Sequence, residues 1–169
     1  MMLTTVLVDR DGTLGGDGHY TSVADFRPYP GVLAAIQALH EAGLRVLAVT
    51  NQTKIATGEM QTADLVASLR AMGLDDCFVC PHLPSAHCRC RKPEIGLIEQ
   101  AQARYHFVQG EAVLIGDSYQ ADMLCAKQAN LLGIHVATGR GAANPIASQC
   151  FEAKDFVQAV GMLVNHQID

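Results

Sequence analysis

The chain has 169 residues, 49% hydrophobic and 17% charged, which suits one globular domain over 1–169 with a full-sized core. Its net charge of -5 offers no basic face for nucleic acid, so an anionic ligand would need cations supplied locally. No apolar run approaches the roughly 20 residues that cross a bilayer, and residues 1–8 carry no basic leader before they meet an acidic motif. The expectation is therefore a cytoplasmic protein without a membrane partner, as a monomer or small homo-oligomer.

Apolar β-branched runs alternate with helical stretches. Residues 4–8 read as a short buried strand. Over 32–42, Val32, Ile36 and Leu39 recur at helical spacing and Gly43 follows as a stop. A second strand spans 44–49, a helix 62–72 ending at Gly73, and a brief third strand 77–79. Pro93 introduces a helix over 94–105. Residues 112–115 form the fourth strand, 120–131 a helix, 133–136 the fifth strand and 155–164 a closing helix. Such alternation predicts a doubly wound parallel sheet covered on both faces. Ligands of these sheets bind beyond the carboxyl ends of the strands. Asp9 and Asp11 follow the first strand, Thr50 and Asn51 the second, the Cys80 loop the third and Asp117 the fourth, so all converge on one rim.

The stretch Asp9-Arg10-Asp11-Gly12-Thr13 places two carboxylates at the end of a buried strand. An unpaired buried charge costs several kcal/mol, which calls for a cation or a reacting group; the plainer alternative is a solvated Asp-Gly turn. Gly116-Asp117-Ser118 and Asp122 repeat the pattern after the fourth strand. Asp122 could merely complement a helix dipole, whereas Asp117 faces the first motif. Three oxygen donors meeting at one point suit Mg2+, which also binds substrate phosphate. Thr50-Asn51-Gln52 could hold phosphate oxygens, or be a polar turn. Arg91 and Lys92 precede a helix start, a favourable place for an anion.

Three of the six cysteines fall within eleven residues beside a histidine. Cys80, His82, Cys88 and Cys90 give four soft ligands on one loop, which suits a closed tetrahedral, structural Zn2+. His87 is a possible competitor of His82, and unrelated loop cysteines are the bland alternative. The loop runs directly into Arg91 and Lys92, so zinc would stiffen the segment presenting them. Cys77, Cys125 and Cys150 read as small buried hydrophobes.

Taken in order, Asp9-Arg10-Asp11-Gly12-Thr13, Thr50, Lys92 and Gly116-Asp117 through Asp122 resemble the haloacid dehalogenase (HAD) superfamily. The resemblance implies that Asp9 is a nucleophile forming an aspartyl-phosphate and that Asp11 protonates the leaving group and activates water. It further implies that Thr50 and Lys92 hold the phosphoryl oxygens, and that Asp9, Asp117 and the backbone carbonyl of Asp11 hold Mg2+. Asp11 separates phosphatases from dehalogenases, whose halide needs no proton. The zinc loop is similar to a branch of the superfamily acting on heptose bisphosphates or histidinol phosphate. Residues 50–58 and 17–20 lean to the former, and the five-residue spacer between His82 and Cys88 to the latter; Ser118 replaces a lysine usual in the heptose enzymes. Thirty-eight residues lie between Asp11 and Thr50, too few for a cap domain beside a helix and a strand. The substrate walls would then be the zinc loop and residues 15–25, with Asp17, His19 and Tyr20 reaching hydroxyls and Arg91 a second phosphate or carboxylate. The expected function is a phosphatase acting on a small phosphorylated metabolite, a sugar phosphate ahead of histidinol phosphate. A receiver-like signalling domain and a catalytically idle zinc-bearing interaction module are the readings from other classes.

Overall fold

The computed structural model describes residues 2–140 and 149–168. Six parallel strands form one sheet: β1 (Thr5–Val8), β2 (Arg45–Asn51), β3 (Asp76–Cys80), β4 (Ala112–Gly116), β5 (Leu132–Val136) and β6 (Phe151–Ala153), in the order β3-β2-β1-β4-β5-β6. β1 lies at the point where the order reverses, between β2 and β4, with Val8 opposite Ala48 and Ile115. The central strands are buried along their whole length, which is why they read as continuous apolar runs rather than alternating ones.

Helices cover both faces. Successive residues of a strand point to opposite sides, so Val6, Val46 and Val113 pack with α1 (Val32–Glu41), α2 (Thr62–Ala71) and α5 (Phe156–Val164). Leu7, Leu47 and Leu114 pack on the other side, with α3 (Gly96–Tyr105) and α4 (Leu124–Gln128). The Asp155 carboxylate caps α5 by accepting from the Gln158 amide at 2.7 Å. Neither possible cap insertion is a domain: 9–31 is loop, and 81–95 carries only the 3-10 turn Pro84–Ala86. Among the described residues no helix is long and apolar enough to cross a membrane.

Two departures from the predicted elements bear on the site. The helix expected over 120–131 begins instead as a turn of π-helix, Tyr119–Met123, before α4. The Ser118 carbonyl accepts from both Asp122 and Met123, and the Ser118 hydroxyl accepts from Ala121 at 3.1 Å. The wider turn folds Asp122 back under the tip of β4, a use typical of π segments at functional sites. Gly116 is what lets it fit, because a Cβ there would lie 2.2 Å from the Asp122 Cγ. The other departure is β6, an edge strand three residues long with only Ala153 buried.

Candidate active site

Asp9, Asp11, Thr50, Asn51, Lys92, Asp117 and Asp122 gather at the carboxyl ends of β1, β2 and β4. A cleft of about 250 Å³ opens over them, lined by Asp9, Asp11, Asn51, Arg91, Lys92 and Arg140 among others. Its floor is the fully buried ammonium of Lys92, which donates to Asp9 Oδ1 at 2.9 Å, Asp122 Oδ1 at 2.6 Å and the Val49 carbonyl at 2.6 Å. Burial opposes the charge on Lys92, yet Asp122 and Asp9 outweigh it and hold the ammonium firmly protonated. The Lys92 peptide is fixed by the Asn51 side chain, which donates to its carbonyl and accepts from its N–H, each at 3.0 Å. The bond that follows, to Pro93, is cis.

Asp9 is aimed rather than fully saturated. Lys92 holds Oδ1, while Oδ2 is buried with no hydrogen-bond partner among the described residues. A buried orphan oxygen is costly unless something not protein completes it. Ligand atoms of Asp9, Asp117 and Asp122 all lie within 4.8 Å of one another. Asp122 has its oxygens held by the buried Lys92 ammonium and the Ser118 amide, whereas Asp117 is held by Arg140, whose side chain is half-exposed, so Asp9 and Asp117 are the carboxylates a cation could reach. Burial, then the charge of Asp9, pushes Asp117 above the usual carboxylate range, and burial lifts Asp122 to about 7. A divalent ion would relieve both, so the donors fit a hard, oxygen-liganded cation.

Asp11 is held from both sides. Arg10 donates to Oδ1 at 2.8 Å and Gln52 to Oδ2 at 2.6 Å. Burial raises its carboxyl, against the lowering influence of Arg10 and the Gln52 bond, the direction wanted of a group that must carry a proton. Arg10 also donates to the carbonyls of Thr21 and, at 3.4 Å, Ser22, and its guanidinium lies 4.0 Å over the Phe26 ring. One buried arginine thus ties Asp11 to the loop over 15–25. Thr50 is buried, with its hydroxyl accepting from Gln52 at 2.9 Å.

The four zinc-type ligands converge. Cys80 Sγ lies 3.6 Å from His82 Nδ1 and 3.5 Å from Cys88 Sγ, and Cys90 Sγ lies 3.3 Å from His82 Nδ1 and 3.6 Å from Cys88 Sγ. Tetrahedral bonds of about 2.3 Å to sulfur and 2.0 Å to nitrogen give edges of about 3.5 to 3.8 Å, so the quartet fits a metal of that kind. His87 is outside the quartet. The Gly96 N–H donates to the Arg89 carbonyl, which fastens this loop to the start of α3 beside Lys92.

Of the expected substrate walls, His19, Tyr20 and Arg91 line the cleft, whereas Asp17 does not and accepts instead from the His19 amide at 2.9 Å. Three further groups belong to the site. Gln52 continues the Thr50-Asn51 stretch and donates to Asp11 rather than standing ready for a phosphate oxygen. Arg140 meets Asp117, its backbone N–H at 2.7 Å from Oδ2 and Nε at 3.2 Å. His135 places Nε2 at 3.0 Å from the Asp117 carbonyl and Nδ1 at 2.9 Å from Glu152, with the Tyr119 ring stacked on it at 3.7 Å. Thr138 and Arg140 follow the fifth strand as polar residues follow the others, which is their signal in the sequence; His135 and Glu152 carry no local signal.

The switch-point cleft, with two aspartates after β1, a buried lysine and a third aspartate after β4, has the arrangement that the resemblance to the HAD superfamily implies. Residues 89–161 match the family model described as HAD-hyrolase-like. Over 171 residues the chain is 33% identical to the D-glycero-beta-D-manno-heptose-1,7-bisphosphate 7-phosphatase of Yersinia pestis, covering 90% of this chain and 88% of that one. It is 35% identical over 147 residues to the enzyme of the same name from Bordetella bronchiseptica, covering 80% and 82%. The crystal structure of D,D-heptose 1.7-bisphosphate phosphatase from B. bronchiseptica, complexed with magnesium and phosphate, superposes with a TM-score of 0.85 at 29% identity, over 97% of this chain and 99% of that one. The chain belongs to the HAD superfamily and is a phosphatase of it. An idle zinc module and a receiver domain are thereby set aside.

Proposed function

We propose that this phosphatase removes one phosphate from a small sugar bisphosphate of the heptose 1,7-bisphosphate type, through a phosphoryl group carried on Asp9. The observation that carries the chemistry is the Asp9 carboxylate: one oxygen is anchored on Lys92 and the other is buried, without a partner among the described residues, at the base of the cleft. The names of the relatives above, and their coverage of nearly the whole chain, support the substrate.

The free oxygen of Asp9 attacks phosphorus in line with the bond to the sugar oxygen. Asp11 gives that oxygen its proton, and the sugar departs with one phosphate fewer. Asp11, now ionised, takes a proton from water, which attacks the phosphoryl-aspartate; inorganic phosphate leaves and both carboxylates return to their starting states. Lys92 and Thr50 neutralise and orient the phosphoryl oxygens, and Asn51 keeps the Lys92 backbone in place. Asp9, Asp117 and the Asp11 carbonyl would hold Mg2+, which supplies charge neutralisation at the phosphoryl group. Asp122 keeps Lys92 pointed at Asp9. Cys80, His82, Cys88 and Cys90 would hold Zn2+, which gives the Arg91–Lys92 segment its rigidity.

Histidinol phosphate fits less well, because its cationic amine wants a carboxylate wall and Asp17 is not among the residues that line the cleft, its carboxylate accepting from the His19 amide. The test has two readouts. A fluoroberyllate or phosphoryl adduct should be located on Asp9; an adduct on Asp11 or Asp117 would refute the chemistry. A kcat/KM higher for histidinol phosphate than for a sugar bisphosphate would refute the substrate class.

A further inference from the structure

Arg140 follows β5 and is the residue of the cleft whose present partner the chemistry requires elsewhere. Its backbone is locked. The Arg140 N–H donates to Asp117 Oδ2 at 2.7 Å, the Thr138 hydroxyl donates to the Gly12 carbonyl at 2.7 Å, and a Cβ on Gly139 would lie 2.1 Å from the same Asp117 oxygen. The guanidinium, by contrast, is held loosely. It reaches Asp117 at 3.2 Å through Nε and 3.4 Å through one terminal nitrogen, both long for charged bonds, and the side chain is 43% exposed. A cation bound by Asp9 and Asp117 would take over that carboxylate and leave the guanidinium at the edge of the cleft without the one carboxylate that it pairs with among the described residues. The anchored backbone keeps its base in place when that happens.

Sheet order gives its position relative to the other rim cation. Arg140 leaves β5 and Arg91 leaves the loop after β3, each two strands from β1 and on opposite sides of it. At about 4.8 Å per strand the two lie on flanks roughly 10 Å to either side of the Asp9 strand. Arg91 belongs to the zinc-type loop, where its guanidinium is 3.5 Å from the His82 carbonyl. The flank carrying Arg140 therefore holds a second, separately mounted arginine fork.

We propose that Arg140 is a specificity-determining residue that binds the second, unreacting phosphate of the substrate once a divalent cation has displaced its guanidinium from Asp117. This deepens the sugar-bisphosphate reading and rests on it. An arginine mounted on a locked backbone can pair bidentately with a phosphate dianion, and the exchange keeps both partners compensated at each stage: Asp117 passes from arginine to cation, and the arginine from carboxylate to phosphate. A monophosphate gains nothing from Arg140, so the residue discriminates between the two.

The test compares fructose 1,6-bisphosphate with fructose 6-phosphate as probes, on wild type, Arg140→Ala, Arg140→Lys and Arg91→Ala, with saturating Mg2+. Arg140→Ala should lower the ratio of kcat/KM values, bisphosphate over monophosphate, by about ten- to a hundredfold, the loss expected for a charged hydrogen-bonded pair. Arg140→Lys should recover part of it, keeping the charge but not the fork. The same ratio measured as equilibrium affinity by calorimetry, in an Asp9→Asn background, should fall alike. Without substrate, Mn2+ binding followed by electron paramagnetic resonance should be no weaker in Arg140→Ala than in wild type, since a competitor for Asp117 has been removed. An unchanged ratio in both turnover and binding overturns the proposal. So does an equal loss on both sugars together with weaker Mn2+ binding, which would make Arg140 a structural support of Asp117. If wild type cleaves no phosphate ester, the phosphatase reading falls, and the calorimetric and Mn2+ measurements still decide the role of Arg140.

Discussion

Replacing Lys92 with methionine keeps the length of the side chain and deletes its charge, which isolates the ammonium at the floor of the cleft. That ammonium compensates Asp9 and Asp122 together, at 2.9 and 2.6 Å, and all three side chains are nearly without solvent contact. Removing one member of a buried ion pair costs about 3–5 kcal/mol, because the remaining charge is left uncompensated. For a domain of this size each kcal/mol moves Tm by about 2–4 °C, so Lys92→Met should melt roughly 6–20 °C below wild type. Burial already lifts Asp122 to about 7 against the pull of Lys92, and without Lys92 it rises further. A carboxyl whose folded value is raised gives stability at low pH that is lost as pH rises through that value. The deficit of Lys92→Met should therefore be larger at about pH 8 than at about pH 6. Adding Asp122→Asn removes one stranded charge and should return part of the loss, a coupling of about 0.5–3 kcal/mol. The assay is calorimetry on protein dialysed free of Mg2+ without a chelator. A Lys92→Met protein that melts within about 1 °C of wild type at both pH values would refute the assignment of Lys92 as the shared counter-ion.

Asp9→Asn should abolish turnover while circular dichroism and melting stay close to wild type, since the amide preserves shape but not the attacking oxygen. Elemental analysis of protein purified without chelator should find one Zn2+ per chain, lost in Cys88→Ser; stripping it should lower Tm and raise KM together, and a metal-free preparation with unaltered kinetics would count against the zinc quartet. Asp76, remote from the cleft, tests the fold. Burial pushes its carboxyl up, but the Cys77 amide, the Tyr105 hydroxyl, Arg104 and Arg70 outweigh that and hold it below the usual range. Its contribution is thus present above the unfolded carboxyl value and lost as pH falls through the folded one. Asp76→Asn should cost about 1–3 kcal/mol in urea unfolding at neutral pH and progressively less towards pH 3.

The parts of the site that sequence makes legible are those with a local signature. Asp9, Asp11, Thr50 and Asp117 stand at the ends of apolar runs, and strand ends are where such a fold places ligands. The zinc quartet lies within eleven residues of chain, so spacing alone predicts the convergence found between Cys80 and Cys90. The edge strand Phe151–Ala153 is not legible in the sequence, because it is three residues long and two of them are exposed, which leaves no apolar run. The π-helical turn at Tyr119–Met123 escaped as well: its sequence is that of an ordinary helix, and the reason for the wider turn is the reach of Asp122 to Lys92, thirty residues away. Gln52, His135 and Arg140 act on partners that only the folded sheet brings near, and Arg10 pairs with its neighbour Asp11 while reaching across the loop to Thr21, Ser22 and Phe26. Helix ends are legible to within about two residues, the usual margin of such boundaries, except that the helix expected to 131 stops at Gln128.

The division of labour between Asp9 and Asp11 is exposed most sharply by a change of leaving group. A sugar alkoxide is a poor leaving group and needs a proton as the phosphorus–oxygen bond breaks. The anion of p-nitrophenol, from a far stronger acid, leaves without one. Asp11 is the group placed to give that proton: it is buried, its carboxyl is raised by burial, and Arg10 and Gln52 fix it beside Asp9. In Asp11→Asn the amide can still accept from Arg10 but can neither donate an acidic proton nor accept one from water. With a sugar bisphosphate the first step should therefore slow by about 10²–10⁴-fold, the usual worth of a general acid. With p-nitrophenyl phosphate that step should be nearly spared, while hydrolysis of the phosphoryl-aspartate, deprived of its base, slows by a similar factor. The phosphoenzyme then accumulates, and stopped-flow absorbance should show a burst of p-nitrophenol approaching one equivalent per chain, followed by a slow steady state. Mass spectrometry of the quenched burst should find the phosphoryl group on Asp9. Equal slowing of both substrates, with no burst and no phosphoenzyme, would mean that Asp11 supports the structure of the site and moves no proton in either step.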